Sequence, residues 1–304
     1  MRIIYAGTPE YAVAPLEALI EGGYEIAAVV TQPDKPAGRK KILTPSPVKA
    51  YALEKGLKVI DSARLRGDVE SLRAAGADLM ITCAYGQILS DEILKIFPLG
   101  VYNLHASLLP KYRGASPIQS AILAGETHTG VTVMRTEAAL DCGDILLVKR
   151  CGIAGKTYGE LSEELSALSA EAALEAVKLL EDGDVNLLVQ DEAAATYCKK
   201  IAKEDARVNF AAPCEAVANL INAMSPAPAA FASLCGQSVN FLKATPCEGK
   251  GEAGEVIAAD KKGVIIACGA GAVLITRLQF AGGKPISAAD AVNGRKIKAG
   301  DRFD

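Results

Sequence analysis

Asn103 and His105 occupy alternate positions at the end of an apolar run, Val101-Tyr102-Asn103-Leu104-His105. On a strand, alternate positions point to one face. An amide and an imidazole projecting together from a hydrophobic strand are costly unless they are paired or used. His105 is one of only two histidines in the chain, so the residue is not scattered at random. Further on, Leu140-Asp141-Cys142-Gly143-Asp144 places a carboxylate in a turn before another apolar run. An amide can donate to an oxyanion, an imidazole can carry a proton and a carboxylate can accept one; together they are the equipment of acyl transfer. Each has a plainer reading alone: a core histidine held by a carbonyl, a strand-end amide, a turn aspartate before glycine. Shared placement favours chemistry for Asn103 and His105, while Asp141 and Asp144, taken alone, both read as turn residues.

These groups need a frame, and the pattern of the chain supplies one. Short apolar runs at Arg2 to Ala6, Ile26 to Thr31, Val59-Ile60, Leu79 to Cys83 and Val101 to His105 read as strands. Helical patterns alternate with them at Pro9 to Glu21, from about Ser46 with Pro47 in the first turn, and at Leu65 to Ala75. Such alternation predicts an α/β unit, an open, parallel-type Rossmann-like sheet with helices on both faces. Ligands of open α/β sheets bind beyond the carboxyl ends of strands, where Asn103, His105 and Tyr85-Gly86-Gln87 fall. Val131 to Met134 and Ile145 to Lys149 read as strands flanking the Asp141 turn, and Tyr158 to Leu180 as a long helix closed by Gly183.

The texture then changes. Residues 1–188 read as a catalytic domain, 189–207 as a polar, charged linker, and 208–304 as a second domain. Within the second domain a short helix, Glu215 to Ala223, precedes short strands at Val239 to Leu242, Glu255 to Ala259, Val264 to Ala267 and Val273 to Phe280. Strands at this spacing suggest a small β-barrel, OB-like being one candidate.

Composition narrows the classes. The chain has 304 residues, half of them hydrophobic, and a net charge of −3. No apolar run approaches the roughly 18 residues of a membrane span, so no membrane contact is expected. The segment MRIIYAGT lacks the layout of an export signal, and a cytoplasmic protein is expected. Eight dispersed cysteines without a C-x-x-C spacing read as buried free thiols, and with two isolated histidines no metal site is expected. A bulk nucleic-acid coat is disfavoured by the net charge, but local clusters set where a polyanion docks. Between Gln32 and Ala50, Lys35, Arg39, Lys40, Lys41 and Lys49 face only Asp34. Lys199, Lys200, Lys203 and Arg207 form a second cluster opposed by Glu204 and Asp205. Gly7-Thr8-Pro9 is a strand-to-helix turn without G-x-G-x-x-G, which disfavours a nicotinamide dehydrogenase.

Asn103-x-His105, then Ser107-Leu108-Leu109-Pro110-x-Tyr112-Arg113-Gly114, then Leu140-Asp141-x-Gly143-Asp144 resemble the signature of the folate-dependent formyltransferases. Ile4 to Pro9 and Gln32 to Lys41 fit the same family. The resemblance is strong over the first two thirds of the chain and weak in the last third. It implies the formyltransferase fold, with 10-formyltetrahydrofolate as co-substrate and Asn103, His105 and Asp141 as the catalytic group. It implies that Gly86, Gln87, Ile88 and Leu89, with Ser107, Leu108, Leu109 and Pro110, hold the folate, main-chain groups reading the flat pterin. It also implies an acceptor amine on initiator methionyl-tRNA, with Arg39, Lys40, Lys41 and Lys203 on the phosphates and the C-terminal barrel as a tRNA-binding domain. A monomer is expected.

The resemblance leaves a second acceptor open, a small-molecule amine such as a nucleotide sugar or glycinamide ribonucleotide. The basic loop and the extra barrel weigh against it, since a small acceptor needs neither. A tRNA-binding module with an idle α/β domain is a reading from another class, and the presence of all of Asn103, His105 and Asp141 argues against that. The chain departs from the family pattern in lacking tryptophan, in following Gly38-Arg39 directly with lysines, and in Ser225 to Ala230.

Overall fold

The computed structural model describes residues 1–38 and 41–304, apart from the Ala37 side chain. Two compact units emerge. The first comprises Met1–Gly114, Thr129–Cys151 and Ser162–Tyr197; the second comprises Ala115–His128, Gly152–Leu161 and Cys198–Asp304.

Among the described residues, the first unit is built on a seven-stranded sheet. Its order is Ile145–Gly152, His128–Arg135, Val101–His105, Leu79–Cys83, Arg2–Gly7, Glu25–Thr31, Val59–Asp61. From Val101–His105 to Val59–Asp61 the neighbours are parallel, and Thr82 lies beside Asn103 while Gly7 lies beside Cys83. The sheet is mixed rather than wholly parallel: His128–Arg135 runs antiparallel to Val101–His105, with Thr132 opposite His105. The central strands are apolar on both sides, as strands covered by helices must be. Leu79–Cys83 is buried throughout. Helix Pro47–Glu54 starts at Ser46, whose hydroxyl accepts from Lys49 N, with proline in the first turn. The long helix Tyr158–Asp182 ends at Gly183 in the left-handed region (φ 74), and Asp184 N closes the last turn on Leu179 O.

The sequence-predicted core elements are present, with ends shifted by a few residues. The hairpin Lys35–Ala37/Ile42–Thr44 and helix Pro117–Leu123 are additional. Gln190 to Tyr197, linker-like in composition, belongs to the first unit.

The second unit is an antiparallel sheet ordered Ala230–Leu234, Gln237–Cys247, Ala272–Phe280, Gly263–Ala267, Val256–Asp260, with Ile286–Ser287 paired to Ala272–Phe280. Bulges around Lys243 bend the long strand. There Asn222, on helix Cys214–Ala223, donates to Ala244 O (2.9 Å) and accepts from Ala244 N (3.1 Å), so the bent backbone keeps its partners. Arg302 and Phe303 bridge to Glu255 and Leu234, one at each edge of the sheet, which curls it into a small barrel. Phe210, Phe241 and Phe303 meet inside at centroid distances of 5.2–6.0 Å. Strand Ala230–Leu234 is masked in the sequence by the alanines and prolines before it.

Candidate active site

Three parallel strands deliver their ends to one edge of the first unit: Gly7, Cys83 and His105. The loop after Cys83 is tied to that edge through the Tyr85 carbonyl, which accepts from Thr8 Oγ1 (3.0 Å) and Gln32 Nε2 (3.3 Å). Alternation along Val101–His105 puts Asn103 and His105 on the same face. Asn103 is half-buried, and its Oδ1 accepts from Thr82 Oγ1 at 2.9 Å. A hydroxyl donating to Oδ1 fixes which way the amide faces, leaving the two Nδ2 hydrogens as the end available to an oxyanion.

His105 is buried, with its side chain 6% exposed. Its Nε2 lies 2.9 Å from the Tyr112 carbonyl. A carbonyl only accepts, so Nε2 carries the hydrogen and Nδ1 is the nitrogen left for chemistry. Tyr112 offers that carbonyl from the left-handed region (φ 61), an uncommon conformation for a bulky residue. Asp141 Oδ2 sits 3.7 Å from His105 Nδ1, and the Asp141 side chain is 14% exposed. The same oxygen accepts from Gly114 N at 2.8 Å.

Asp141 is itself in the left-handed region (φ 49), which aspartate tolerates better than most residues. The turn around it is tight. A Cβ on Gly143 would collide with the Arg135 carbonyl, so only glycine fits there. Asp144 O accepts from Arg135 N (2.8 Å) at the base of the turn. Burial raises the Cys142 thiol, with Glu137 adding to the effect, so this neighbour of Asp141 stays protonated at neutral pH.

The residues singled out for folate divide into exposed and buried sets. Gly86, in the left-handed region (φ 83), and Ile88, 87% exposed, face outward. Leu108 and Pro110 are half-buried, and Leu89 and Leu109 are buried. Gln87 uses its amide within the protein, donating to Ser62 O (2.8 Å) and accepting from Leu65 N (2.9 Å). Ser107 is fully buried, and its hydroxyl donates to Lys111 O at 2.6 Å. Thr132 braces the same loop, its hydroxyl donating to Ser107 O (2.7 Å) and accepting from Leu109 N (3.1 Å).

Of the basic residues, Arg39 and Lys40 lie outside the described residues. Lys41 is exposed beside the Ile42–Thr44 strand of the hairpin in the first unit, and Lys203 is exposed in the second. Lys49 does not belong with them: its Nζ is 2.6 Å from both Asp34 and Asp61, which raise its pKa and cancel its charge.

Sequence reasoning missed the groups that hold the Asp141 turn. Arg113 is 1% exposed, and its guanidinium donates to Gln190 Oε1 (3.1 and 2.8 Å) and to both oxygens of Glu192 (2.9 and 2.6 Å). Gln190 in turn donates from Nε2 to Asp141 O (2.9 Å) and Gly143 O (2.7 Å). Bonding to Glu192 pushes the Arg113 pKa further up, and Arg113 holds the Glu192 carboxyl below its usual range. Nothing in the polar neighbourhood Lys111-Tyr112-Arg113-Gly114 signals a buried arginine, and nothing local links positions 77 residues apart.

Comparison with known proteins identifies the family. The formyl transferase family model matches residues 1–177, and the model of the formyl transferase C-terminal domain matches residues 200–296. A methionyl-tRNA formyltransferase of Pseudomonas fluorescens is 44% identical over 301 residues, covering 98% of this chain and 94% of that protein. One from Chromobacterium violaceum is 45% identical over 310 residues, covering 100% of this chain and 99% of that one. The solved structure of HypX from Aquifex aeolicus in complex with tetrahydrofolic acid superposes over 96% of this chain and 47% of its own with a TM-score of 0.68 at 22% identity, a likeness of fold. The chain belongs to the formyl transferase family.

Proposed function

We propose that this enzyme moves the formyl group of 10-formyltetrahydrofolate onto the α-amine of initiator methionyl-tRNA, giving the formylated form used to start translation. One observation carries the reading. Asn103, His105 and Asp141 converge at one sheet edge in a chain that matches methionyl-tRNA formyltransferases along nearly their whole length. A small-molecule acceptor is not favoured by that likeness. A monomer is the assembly state that accompanies this reading. A cytoplasmic location is the reading that accompanies this role in translation initiation.

The folate co-substrate supplies an activated formyl carbon. The surface beyond the strand ends suits it: Ile88 offers exposed apolar area, and glycine at Gly86 leaves the backbone open to a flat ring. Gln87 and Ser107 contribute by shaping their loops, since both side chains are committed within the protein. Asn103 Nδ2 donates to the oxygen of the formyl carbon as the amine adds to it, and removal of such a donor typically costs roughly a hundred- to a thousandfold in rate. His105 works through Nδ1, donating to the same oxygen when protonated. Asp141 balances that imidazolium and receives the proton lost by the attacking amine, directly or through a water. As the bond from the formyl carbon to folate N10 breaks, N10 takes up a proton, so atoms and charge balance. The α-amine titrates near ~8, so it needs only a modest base.

Lys41, beside the hairpin strand Ile42–Thr44, and its sequence neighbours Arg39 and Lys40 meet the phosphates near the acceptor end, and Lys203 and the C-terminal barrel add contacts elsewhere on the tRNA. The test is turnover of Asn103→Ala and His105→Ala alongside circular dichroism. Both should lose most activity with unchanged spectra, and near-normal kcat in either would sink the assignment.

A further inference from the structure

We propose that Gln190 is a positioning residue for Asp141, held in its working orientation by Arg113 and Glu192. The inference deepens the formyl-transfer reading and rests on it. Neither family model reaches Gln190, which lies between residues 177 and 200. It is 5% exposed, and every hydrogen-bonding site of its amide is in use. Two N–H groups go to the carbonyls of Asp141 and Gly143, and Oε1 takes two bonds from Arg113. Turning the amide over would set oxygen against two carbonyls and N–H against guanidinium N–H. Arg113 therefore dictates which end of Gln190 faces the turn.

Arg113 has a single orientation for the same reason. Its donors are shared among Gln190, the Glu192 carboxylate and the Tyr197 hydroxyl (3.3 Å), and its guanidinium lies 5.9 Å from the Tyr197 ring centroid. A fork of this kind requires arginine, because lysine cannot bond two partners in a fixed plane.

The reason for such a device lies in Asp141. Its backbone is in the left-handed region, which costs an L-residue energy and persists only where the surroundings hold it. The bond from Gly114 N sets one carboxylate oxygen, and Gln190 sets the backbone from which that carboxylate projects. Loosening the backbone by under an ångström would degrade the 3.7 Å approach to His105 Nδ1. Gln190 bonds the Asp141 and Gly143 carbonyls, not the Asp141 carboxylate or the His105 ring, so its effect on the reacting groups runs through the turn that carries Asp141.

The test is a double-mutant cycle in the full-length chain. Gln190→Glu keeps the length and still accepts from Arg113, but it loses both donors to the turn. Gln190→Met, of similar length and uncharged, serves if the glutamate variant does not fold. Two lost hydrogen bonds predict a fall in kcat of about thirtyfold. The dissociation constant for tetrahydrofolate should stay within about threefold, because the folate loops are braced separately by Thr132 and Ser62. In an Asp141→Asn background the same change should cost less than about threefold, a loss of effect that a general structural role would not produce. A Gln190 variant with near wild-type kcat, or an equal loss in both backgrounds, overturns the proposal. If Asp141→Asn alone retains full activity, the reading of Asp141 fails first and the proposal falls with it.

Discussion

Asp141→Asn isolates charge from shape at the centre of this site. Asparagine tolerates the left-handed conformation that Asp141 adopts, and its side-chain oxygen can still accept from Gly114 N. Gln190 grips backbone carbonyls that the substitution leaves alone. The turn should therefore survive, and what disappears is a negative charge 3.7 Å from His105 Nδ1 and the ability to take a proton. At about 4 Å, opposite unit charges attract by about 1 kcal/mol in water and about 4 kcal/mol at an effective dielectric constant near 20. With the two side chains only 6% and 14% exposed, the protein-like limit is the better guide. Converted at about 1.4 kcal/mol per decade, that is a loss of roughly a hundred- to a thousandfold in the chemical step, within the range for removal of a general base. The assay is single-turnover formyl transfer at saturating co-substrate, with circular dichroism as the fold control. The His105→Ala/Asp141→Asn double variant should be little worse than the poorer single variant, since the two act as a unit. A single-turnover rate within about threefold of wild type, or fully additive losses, would refute the pairing.

Substituting Arg39, Lys40 and Lys41 together by alanine should weaken tRNA binding and flatten its salt dependence, because fewer counterions are released, while folate affinity holds; an unchanged slope of log affinity against log salt would make that loop a mere connection. Burial pushes the Cys83 thiol up to about 12, so iodoacetamide at pH ~8 should leave Cys83 unmodified while the exposed Cys235 reacts, as read by mass spectrometry of peptides. Arg113 holds the folded-state pKa of Glu192 below its unfolded value, so the stabilisation it gives is complete above the unfolded value of about 4.3 and is lost as pH falls through the folded one. Glu192→Gln should therefore flatten the acid limb of thermal stability, and parallel wild-type and variant curves below pH ~4.5 would contradict this.

The strand Val101–His105 was legible because its apolar residues alternate with the two polar groups that matter, and a local pattern is enough to define a face. Asp141 was legible only through the family motif Leu140-Asp141-x-Gly143-Asp144, and the clash at Gly143 explains why glycine stands in that motif. Other features were invisible because they depend on distant partners. The direction of His128–Arg135 is set by how the chain returns after helix Pro117–Leu123, which no local period encodes. The polar stretch 189–207 reads as linker by composition, yet Gln190 and Glu192 within it bond a buried arginine. Gln87 and Ser107 fall in segments that the family resemblance gives to the folate, and the fold adds that their side chains bond carbonyls and an amide of the protein. Lys49 looks like a member of a basic patch until Asp34 and Asp61 close on it.

The central claim is most directly tested by incubating the full-length protein with 10-formyltetrahydrofolate and methionine-charged initiator tRNA, then hydrolysing the ester and separating formylmethionine from methionine. The account predicts formylmethionine in proportion to the charged tRNA, dependent on both substrates and abolished in Asn103→Ala. Absence of formylmethionine, with formyl transfer to an amino nucleotide sugar instead, would contradict it.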